Sequence, residues 1–114
     1  APRAEVRRIL RDYFQDQGLP DGIFCHNDDA AITCLRALYD LGVRVPDDVA
    51  LVGCDGIEET QYTFPELSTI VQPIEEMCQQ AWRLLKQRLE QPEKEVEGVI
   101  LPARFVARGS SLRS

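Results

Sequence analysis

Residues 22–56, GIFCHNDDAAITCLRALYDLGVRVPDDVALVGCDG, decide the fold of this chain. They read as a strand, a helix and a second strand, and a polar residue stands where each strand ends: Asn27 after the first and Asp55 after the second. In open parallel α/β sheets, ligands bind in the crevice beyond the carboxyl ends of the strands. Two hydrogen-bonding side chains at that edge therefore predict a site for a small molecule.

Helices and strands alternate on both sides of this stretch. Apolar residues recur every three or four positions in 4–17 and 74–90, which predicts a helix in each segment. Apolar runs predict strands at 22–25, 49–54, 67–71, 99–101 and 105–107. Because strands that alternate with helices form parallel sheets, we expect an open parallel sheet with flanking helices.

Composition indicates one soluble globular domain. The chain has 114 residues, of which 44% are hydrophobic and 28% charged, enough for one modest core. No apolar run approaches the roughly 18 residues of a membrane span, so we expect no membrane partner. The first residues, APRAEVRRIL, resemble no signal peptide and lack a starting Met, so we interpret the chain as part of a longer protein.

The charge pattern argues against direct DNA binding by these residues. The net charge is −6, which repels a phosphate backbone unless basic residues cluster. Arginines do cluster near the N-terminus, but Glu5 and Asp12 interleave with them, which favours a solvated helix face. The cluster consists of Arg3, Arg7, Arg8 and Arg11.

No residue pattern indicates catalysis or metal binding. The four cysteines contain no CxxC pair, and we interpret them as buried free thiols, which fits a reducing cytoplasm. They are Cys25, Cys34, Cys54 and Cys78. His26 is the only histidine, and a surface or packing role is the plainer alternative to a general base. The chain has no nucleophile elbow and no phosphate loop, so we expect no catalytic residue, no metal and no cofactor.

Each candidate ligand residue also has a plain structural interpretation. Asn27 can cap the following helix, or its amide can bind a ligand. Asp55 can cap the turn at 56–59, or its carboxylate can accept hydrogen bonds from ligand hydroxyl or N–H groups. Trp82 can stack on a sugar or pack half-buried in its helix. The residues alone leave these alternatives open.

Four sequence words carry a resemblance to a known family. IFCHNDDAA, RALYDLGVRVPDDVALVGCDG, PELSTIVQPIEEM and LPARFVARGS occur in this order, from about residue 20 to 109. Together they resemble the C-terminal part of the lactose-repressor/galactose-repressor family of bacterial transcription regulators. The resemblance implies a cytoplasmic homodimer with a periplasmic-binding-protein-like effector domain. It also implies an N-terminal DNA-binding domain, absent from this chain, that binds operator DNA.

The resemblance also implies a division of the chain into lobes. Residues 1–72 and 98–109 are expected to form the second lobe of the effector domain, and 73–97 to belong to the first lobe. Residues 110–114 are expected to be a disordered tail. A small-molecule effector, such as a sugar or a nucleobase, is expected to bind between the lobes and to control release from the operator.

Three positions match family residues that line the effector cleft. Asn27 matches the asparagine before the lobe-two helix, Asp55 matches the aspartate after the strand, and Gln72 matches the crossover between lobes. Two positions depart from the family, which usually has an aromatic residue in place of Cys54 and a second aspartate in place of Gly56. The resemblance therefore implies effector binding by Asn27, Asp55 and Gln72.

The resemblance further implies a dimer through the helix at 28–41 and the loop at 57–64. A twofold interface uses the same patch on both subunits. The expected interface residues are Thr33, Arg36, Ala37, Tyr39, Tyr62 and Phe64. Two other function classes remain: a periplasmic sugar-binding component of a transport system, which shares the fold, and a small α/β enzyme.

Overall fold

The computed structural model describes residues 2–113, and residues 1 and 114 lie outside the description. The helices are α1 (Arg3–Gln17), α2 (Asp28–Asp40) and α3 (Ile74–Glu90), with a 3-10 helix at Glu58–Gln61. The strands are β1 (Gly22–Phe24), β2 (Ala50–Asp55), β3 (Ser68–Val71) and β4 (Arg104–Val106). The predicted helices agree with α1 and α3, and four of the five predicted strands are present within a residue or two.

The four strands form one sheet in the order β1-β2-β3-β4. β1 pairs with β2 in parallel, with Ile23 opposite Leu51, and β2 pairs with β3 in parallel, with Cys54 opposite Ile70. The predicted open α/β fold is confirmed. Because parallel strands end at the same edge, the carboxyl ends of β1, β2 and β3 lie side by side, as the candidate site requires.

α2 begins and ends where local chemistry specifies. The Asn27 side chain accepts a hydrogen bond from the backbone N–H of Ala30 at 2.7 Å, which caps the first turn. Asp28 and Asp29 add negative charge at the positive end of the helix dipole. The helix ends before Gly42, whose φ of 72° is a conformation that glycine adopts without a steric penalty.

The hydrophobic core lies between α2 and one face of the sheet, and α1 packs on α2. Along β2, Leu51 and Gly53 are buried, whereas Ala50, Val52 and Cys54 between them are half-buried. Only one face of this strand is therefore fully covered within the chain. The buried apolar residues are Phe14, Ala31, Cys34, Ala37, Leu38, Val49, Leu51 and Leu67.

The arginine cluster of α1 pairs with α2 instead of forming a purely solvated face. The ion pairs between the helices are Arg3–Asp29, Arg7–Asp40 and Arg11–Asp40. Arg7 and Asp40 meet in a two-pronged hydrogen bond at 2.6 and 2.7 Å. This bond lowers the pKa of the Asp40 carboxyl, as do the nearby positive charges, although desolvation acts in the opposite direction.

Two of the predicted interface residues are buried where α1 packs on α2. Thr33 and Ala37 are 6% and 0% exposed, so neither is available to a partner. By helical spacing they lie on the side of α2 that carries Asp29 and Asp40, which is the side that α1 covers. The prediction of an outward orientation was wrong for this pair.

The predicted disordered tail is ordered over residues 110–113, and Ser114 lies outside the described residues. Ser110 is fully buried; its hydroxyl donates to the Leu51 carbonyl at 2.6 Å and accepts from the Ser68 amide at 2.8 Å. Arg113 donates to backbone carbonyls of Pro46 and Asp21. The prediction was wrong because Ser110 is held by backbone groups of β2 and β3, and Arg113 by two carbonyls outside the sheet.

The cysteines differ in burial, contrary to the expectation that all four are buried. Cys34 is buried, Cys25 and Cys54 are half-buried, and Cys78 on α3 is exposed. Cys25 and Cys34 hydrogen-bond through their side chains, which lowers the pKa of the Cys25 thiol. The same hydrogen bond, together with burial, raises the pKa of the Cys34 thiol.

The chain divides into two compact units. The first comprises the residues up to Val71 and those from Phe105 onward, and the second is Gln72–Arg104. Residues 72–104 contain no buried residue, and the predicted strand at 99–101 is absent because this unit holds no neighbouring strand to pair with it. The assignment of these segments to two lobes of a longer protein stays a prediction.

Candidate functional site

Two of the three predicted ligand residues lie at the carboxyl edge of the sheet. Asn27 follows β1, and Asp55 is the last residue of β2, which is parallel to β1. Gln72 is the first residue of the second unit and is half-buried; its carbonyl accepts a hydrogen bond from the Ile74 amide at 2.9 Å. The first unit therefore brings Asn27 and Asp55 to one edge.

The side chain of Asn27 has a structural role and retains hydrogen-bonding capacity. Its oxygen caps α2 through Ala30, as described above. Its nitrogen lies 3.1 Å from Nε2 of His26. Because the amide oxygen already accepts from Ala30, the amide nitrogen is the donor and His26 Nε2 the acceptor. An amide nitrogen carries two N–H groups, so His26 uses one of them.

Asp55 has an unusual backbone conformation. Its φ is 126°, and it is the one residue other than glycine with positive φ in the described chain. Such a conformation costs of order 1–3 kcal/mol and persists only when the surrounding structure imposes it. Strained residues of this kind cluster at ligand sites, which makes the ligand interpretation of Asp55 more attractive than a simple turn cap.

The loop that follows Asp55 is hydrogen-bonded to Asp28, a buried residue that the sequence reasoning did not identify. Its carboxylate is 0% exposed. Oδ2 accepts from the backbone amides of Gly56 and Ile57 at 2.7 and 2.8 Å, and Oδ1 accepts from the Thr69 hydroxyl at 2.6 Å. Asp28 thus joins the start of α2, the loop after β2 and strand β3.

Two glycines make room for this arrangement. A Cβ atom on Gly53 would lie 2.3 Å from Oδ1 of Asp28. A Cβ on Gly56, whose φ is 81°, would lie 2.9 Å from the Cα of Val71. A side chain at Gly56 would therefore require this turn or Val71 to shift.

The edge offers chemistry suited to binding a polar small molecule. An amide, an imidazole and a carboxylate lie at or next to the strand ends, and together they can accept and donate hydrogen bonds to hydroxyl or ring N–H groups. Among residues 2–113, no group of three His, Cys, Asp or Glu side chains is arranged to hold a metal ion. In the described part of the chain, no helix combines the length and apolarity needed to cross a membrane.

A second surface of interest lies on the outer side of α2. Tyr39, Tyr62 and Phe64 are 72%, 79% and 98% exposed, and we call these three residues the aromatic surface. The Arg36 guanidinium lies 5.3 Å from the centre of the Tyr39 ring. A shallow cavity of about 450 Å³ adjoins it, lined by Ile32, Leu35, Arg36, Tyr39, Thr63 and Phe64.

Comparison with known proteins identifies the fold family. Residues 1–111 match the model of the periplasmic binding protein-like domain. A probable HTH-type transcriptional repressor, ExuR of Bacillus subtilis, is 36% identical over 94 residues, which are 82% of this chain and 28% of that protein. The chain thus spans less than a third of the length of this relative.

Two solved structures share the architecture. A LacI family transcriptional regulator from Arthrobacter sp. FB24, in complex with lactose, superposes with a TM-score of 0.86 at 30% identity over 96% of this chain and 41% of that one. A LacI family transcriptional regulator from Enterococcus faecium, with bound ribose, gives 0.81 at 35% identity over 96% and 40%. Both matched proteins are regulators described with a sugar.

Proposed function

This chain belongs to the LacI family of transcriptional regulators, and we propose that it is the effector-sensing and dimerising part of a repressor. The effector is a small sugar-like or nucleobase-like molecule. It binds between the lobe formed by the first unit and the other lobe of the effector domain, and Asn27, Asp55 and Gln72 contact it. A DNA-binding domain outside this chain binds the operator, and the whole protein acts in the cytoplasm as a homodimer.

The observation that carries the proposal is the conformation of Asp55 at the carboxyl end of β2. Asp55 has a strained backbone at the ligand-binding edge of a parallel sheet, and Asn27 follows the neighbouring strand. A carboxylate and an amide suit the hydroxyl groups of a sugar or the N–H groups of a nucleobase. The sugar-bound regulators with the same fold support this class of effector. The role of this site is to bind the effector and not to catalyse a reaction, in keeping with the regulators to which the chain is similar.

The alternative of a periplasmic transport component is not favoured. It shares the fold, but the relatives described above are transcriptional regulators. The small α/β enzyme has no supporting relative among them either. The fold alone does not distinguish these classes, since one fold hosts many functions.

Operator release by the whole regulator tests the effector role of Asp55. We expect Asp55→Ala to abolish release by a sugar or nucleobase that acts on the wild type, because a hydrogen bond to a charged group contributes about 1.5–3 kcal/mol. Operator binding without effector stays unchanged. Fluorescence anisotropy of labelled operator, titrated with lactose, ribose and the common nucleobases, measures both quantities.

Asp47→Ala, which removes an exposed carboxylate from the turn after α2, is the control. An unchanged midpoint for Asp55→Ala would show that this residue is only a turn residue.

The dimer interface proposed here is the aromatic surface together with Arg36. Tyr39 and Phe64 line a shallow apolar cavity, and Tyr62, two residues before Phe64, is also exposed. Exposed aromatic side chains of this kind are typical of an interface. A twofold axis near α2 would place each copy of this surface against the other. Thr33 and Ala37 do not belong to the proposed interface, because both are buried within the chain.

Sedimentation of the whole regulator tests this interface. We expect Tyr62→Glu and Tyr39→Glu each to shift the dimer towards monomer, because each adds a charge to an apolar contact. Leu19→Glu, on an exposed loop residue between α1 and β1, is the control and should leave the dimer intact. Circular dichroism confirms that the variants fold. Fully dimeric Tyr62→Glu and Tyr39→Glu proteins would place the interface elsewhere.

A further inference from the structure

Asp28 is the most completely enclosed polar side chain at the ligand-binding edge of the sheet. It has no exposed surface and accepts three hydrogen bonds, two from the loop after β2 and one from strand β3. Helix-dipole stabilisation, which is the ordinary reason for an aspartate in the first turn of a helix, needs neither burial nor distant partners. The three bonds therefore call for an additional explanation.

The geometry of the loop after β2 supplies that explanation. Two successive amides, of Gly56 and Ile57, converge on one oxygen of Asp28. They follow directly after Asp55, and both Asp55 and Gly56 have positive φ, at 126° and 81°. Two consecutive residues in this region form a turn that the chain would not adopt by itself, and an anion held by successive amides is a recognised way to stabilise such a turn.

We propose that Asp28 is a positioning residue of the effector site. Its carboxylate fixes the backbone at Gly56 and Ile57, and thereby fixes the conformation in which Asp55 meets the effector. This inference rests on the proposed function, because it gives Asp28 its role through Asp55. Thr69 holds the other oxygen of Asp28 on β3, so the carboxylate cannot turn away from the loop.

The first test needs no effector. Hydrogen–deuterium exchange of the whole regulator is measured on wild type and on Asp28→Asn and Asp28→Ala. We expect exchange in residues 55–61 to rise about tenfold in Asp28→Ala, the effect of losing about one net hydrogen bond, and less in Asp28→Asn, whose amide oxygen can still accept. Unchanged exchange in this loop for both variants would overturn the proposal.

The second test separates positioning from general stabilisation. Ser110→Ala is a matched control, because Ser110 is equally buried and its hydroxyl makes two hydrogen bonds near the starts of β2 and β3, away from Asp55. We expect both Asp28→Ala and Ser110→Ala to lower the melting temperature. At a temperature where all proteins are folded, only Asp28→Ala should weaken binding of lactose, ribose or a nucleobase, by about tenfold or more in calorimetry.

Asp55→Asn, measured beside these variants, distinguishes the possible failures. If Asp55→Asn loses effector binding and Asp28→Ala keeps it, the positioning role is wrong while the proposed function stands. If Asp55→Asn binds as tightly as wild type, the proposed role of Asp55 fails and the inference fails with it. If Ser110→Ala weakens binding as much as Asp28→Ala, the effect is general destabilisation and the positioning role is rejected.

Discussion

The two units of this chain differ in how their apolar residues are covered. In the first unit, α2 carries Ala31, Cys34 and Leu38, all of them buried against the sheet. In the second unit, α3 has an equally regular apolar stripe, but Ile74, Met77 and Leu85 are 55%, 41% and 49% exposed. The same periodic pattern therefore produces a core in one unit and an uncovered surface in the other.

This difference shows that amphipathic periodicity specifies a helix without specifying its partner. The 3.6-residue period makes one face apolar, and burial of that face needs a second element at the right place. The first unit supplies the sheet and α1. For α3, we expect the partner to lie in the part of the regulator outside this chain. The stability of the isolated chain should consequently depend on the first unit.

The largest expected effect is a contrast between two leucines on these helices. Leu38→Ala removes a fully buried side chain and should destabilise the chain by about 2–5 kcal/mol. Leu85→Ala removes a half-exposed one and should change stability by about 0.5 kcal/mol. Urea unfolding followed by circular dichroism measures both, and Trp82 fluorescence reports on the second unit. Equal losses would show that α3 has a packing partner within the chain.

A smaller contrast is expected between two glycines. Gly53→Ala places a Cβ atom 2.3 Å from the Asp28 carboxylate and should destabilise the first unit by about 1–3 kcal/mol. Gly98→Ala meets no atom within 4 Å and should leave stability unchanged to about 0.5 kcal/mol. Thermal unfolding of the two variants provides the comparison. A Gly53→Ala protein as stable as wild type would mean that Asp28 and its neighbours can shift without loss of stability.

The smallest expected effect concerns acid pH. The hydrogen bond from Arg7 lowers the pKa of Asp40 below its ordinary value of 3.8, and the charges of Arg7, Arg36 and Arg11 act in the same direction. The stabilisation by this carboxylate is therefore present above that value and is lost as the pH falls below it. The melting temperature between pH 6 and pH 2.5 should fall less steeply for Asp40→Asn than for wild type.

The matched control for this prediction is in the second unit. Arg83 and Glu97 form an ion pair at 2.9 Å between side chains that are 47% and 42% exposed. Exposed pairs of this kind contribute about 0–1 kcal/mol. Glu97→Gln should therefore reproduce the pH dependence of wild type. If the Asp40→Asn and wild-type curves run parallel, the contact between α1 and α2 does not depend on this charge.

Local patterns in the sequence predicted most of the fold. The bounds of α3 and the cap of α2 by Asn27 follow from periodicity and from one side chain, and both are as expected. The orientation of Thr33 and Ala37 was missed because it depends on the docking of α1. The sequence did contain a signal for this docking. Arg3, Arg7 and Arg11 lie on one face of α1 and form ion pairs with two aspartates of α2.

The buried polar residues could not be predicted from local patterns. Asp28 finds its partners at Gly56, Ile57 and Thr69, and Ser110 finds its partners at Leu51 and Ser68. These contacts span 28 to 59 residues and exist only after the sheet has formed. An aspartate at a helix start and a serine near a chain end both have ordinary local interpretations, which conceal such roles.

The most direct test of the proposed effector site is hydrogen–deuterium exchange of the whole regulator with and without a sugar or nucleobase that releases the operator. Ligand binding should slow exchange at 26–28 and 54–57, at the carboxyl edge of the sheet. Residues 108–111, which pack beside the starts of β2 and β3, should not change. Protection at 108–111 without protection at 54–57 would contradict the proposed effector site.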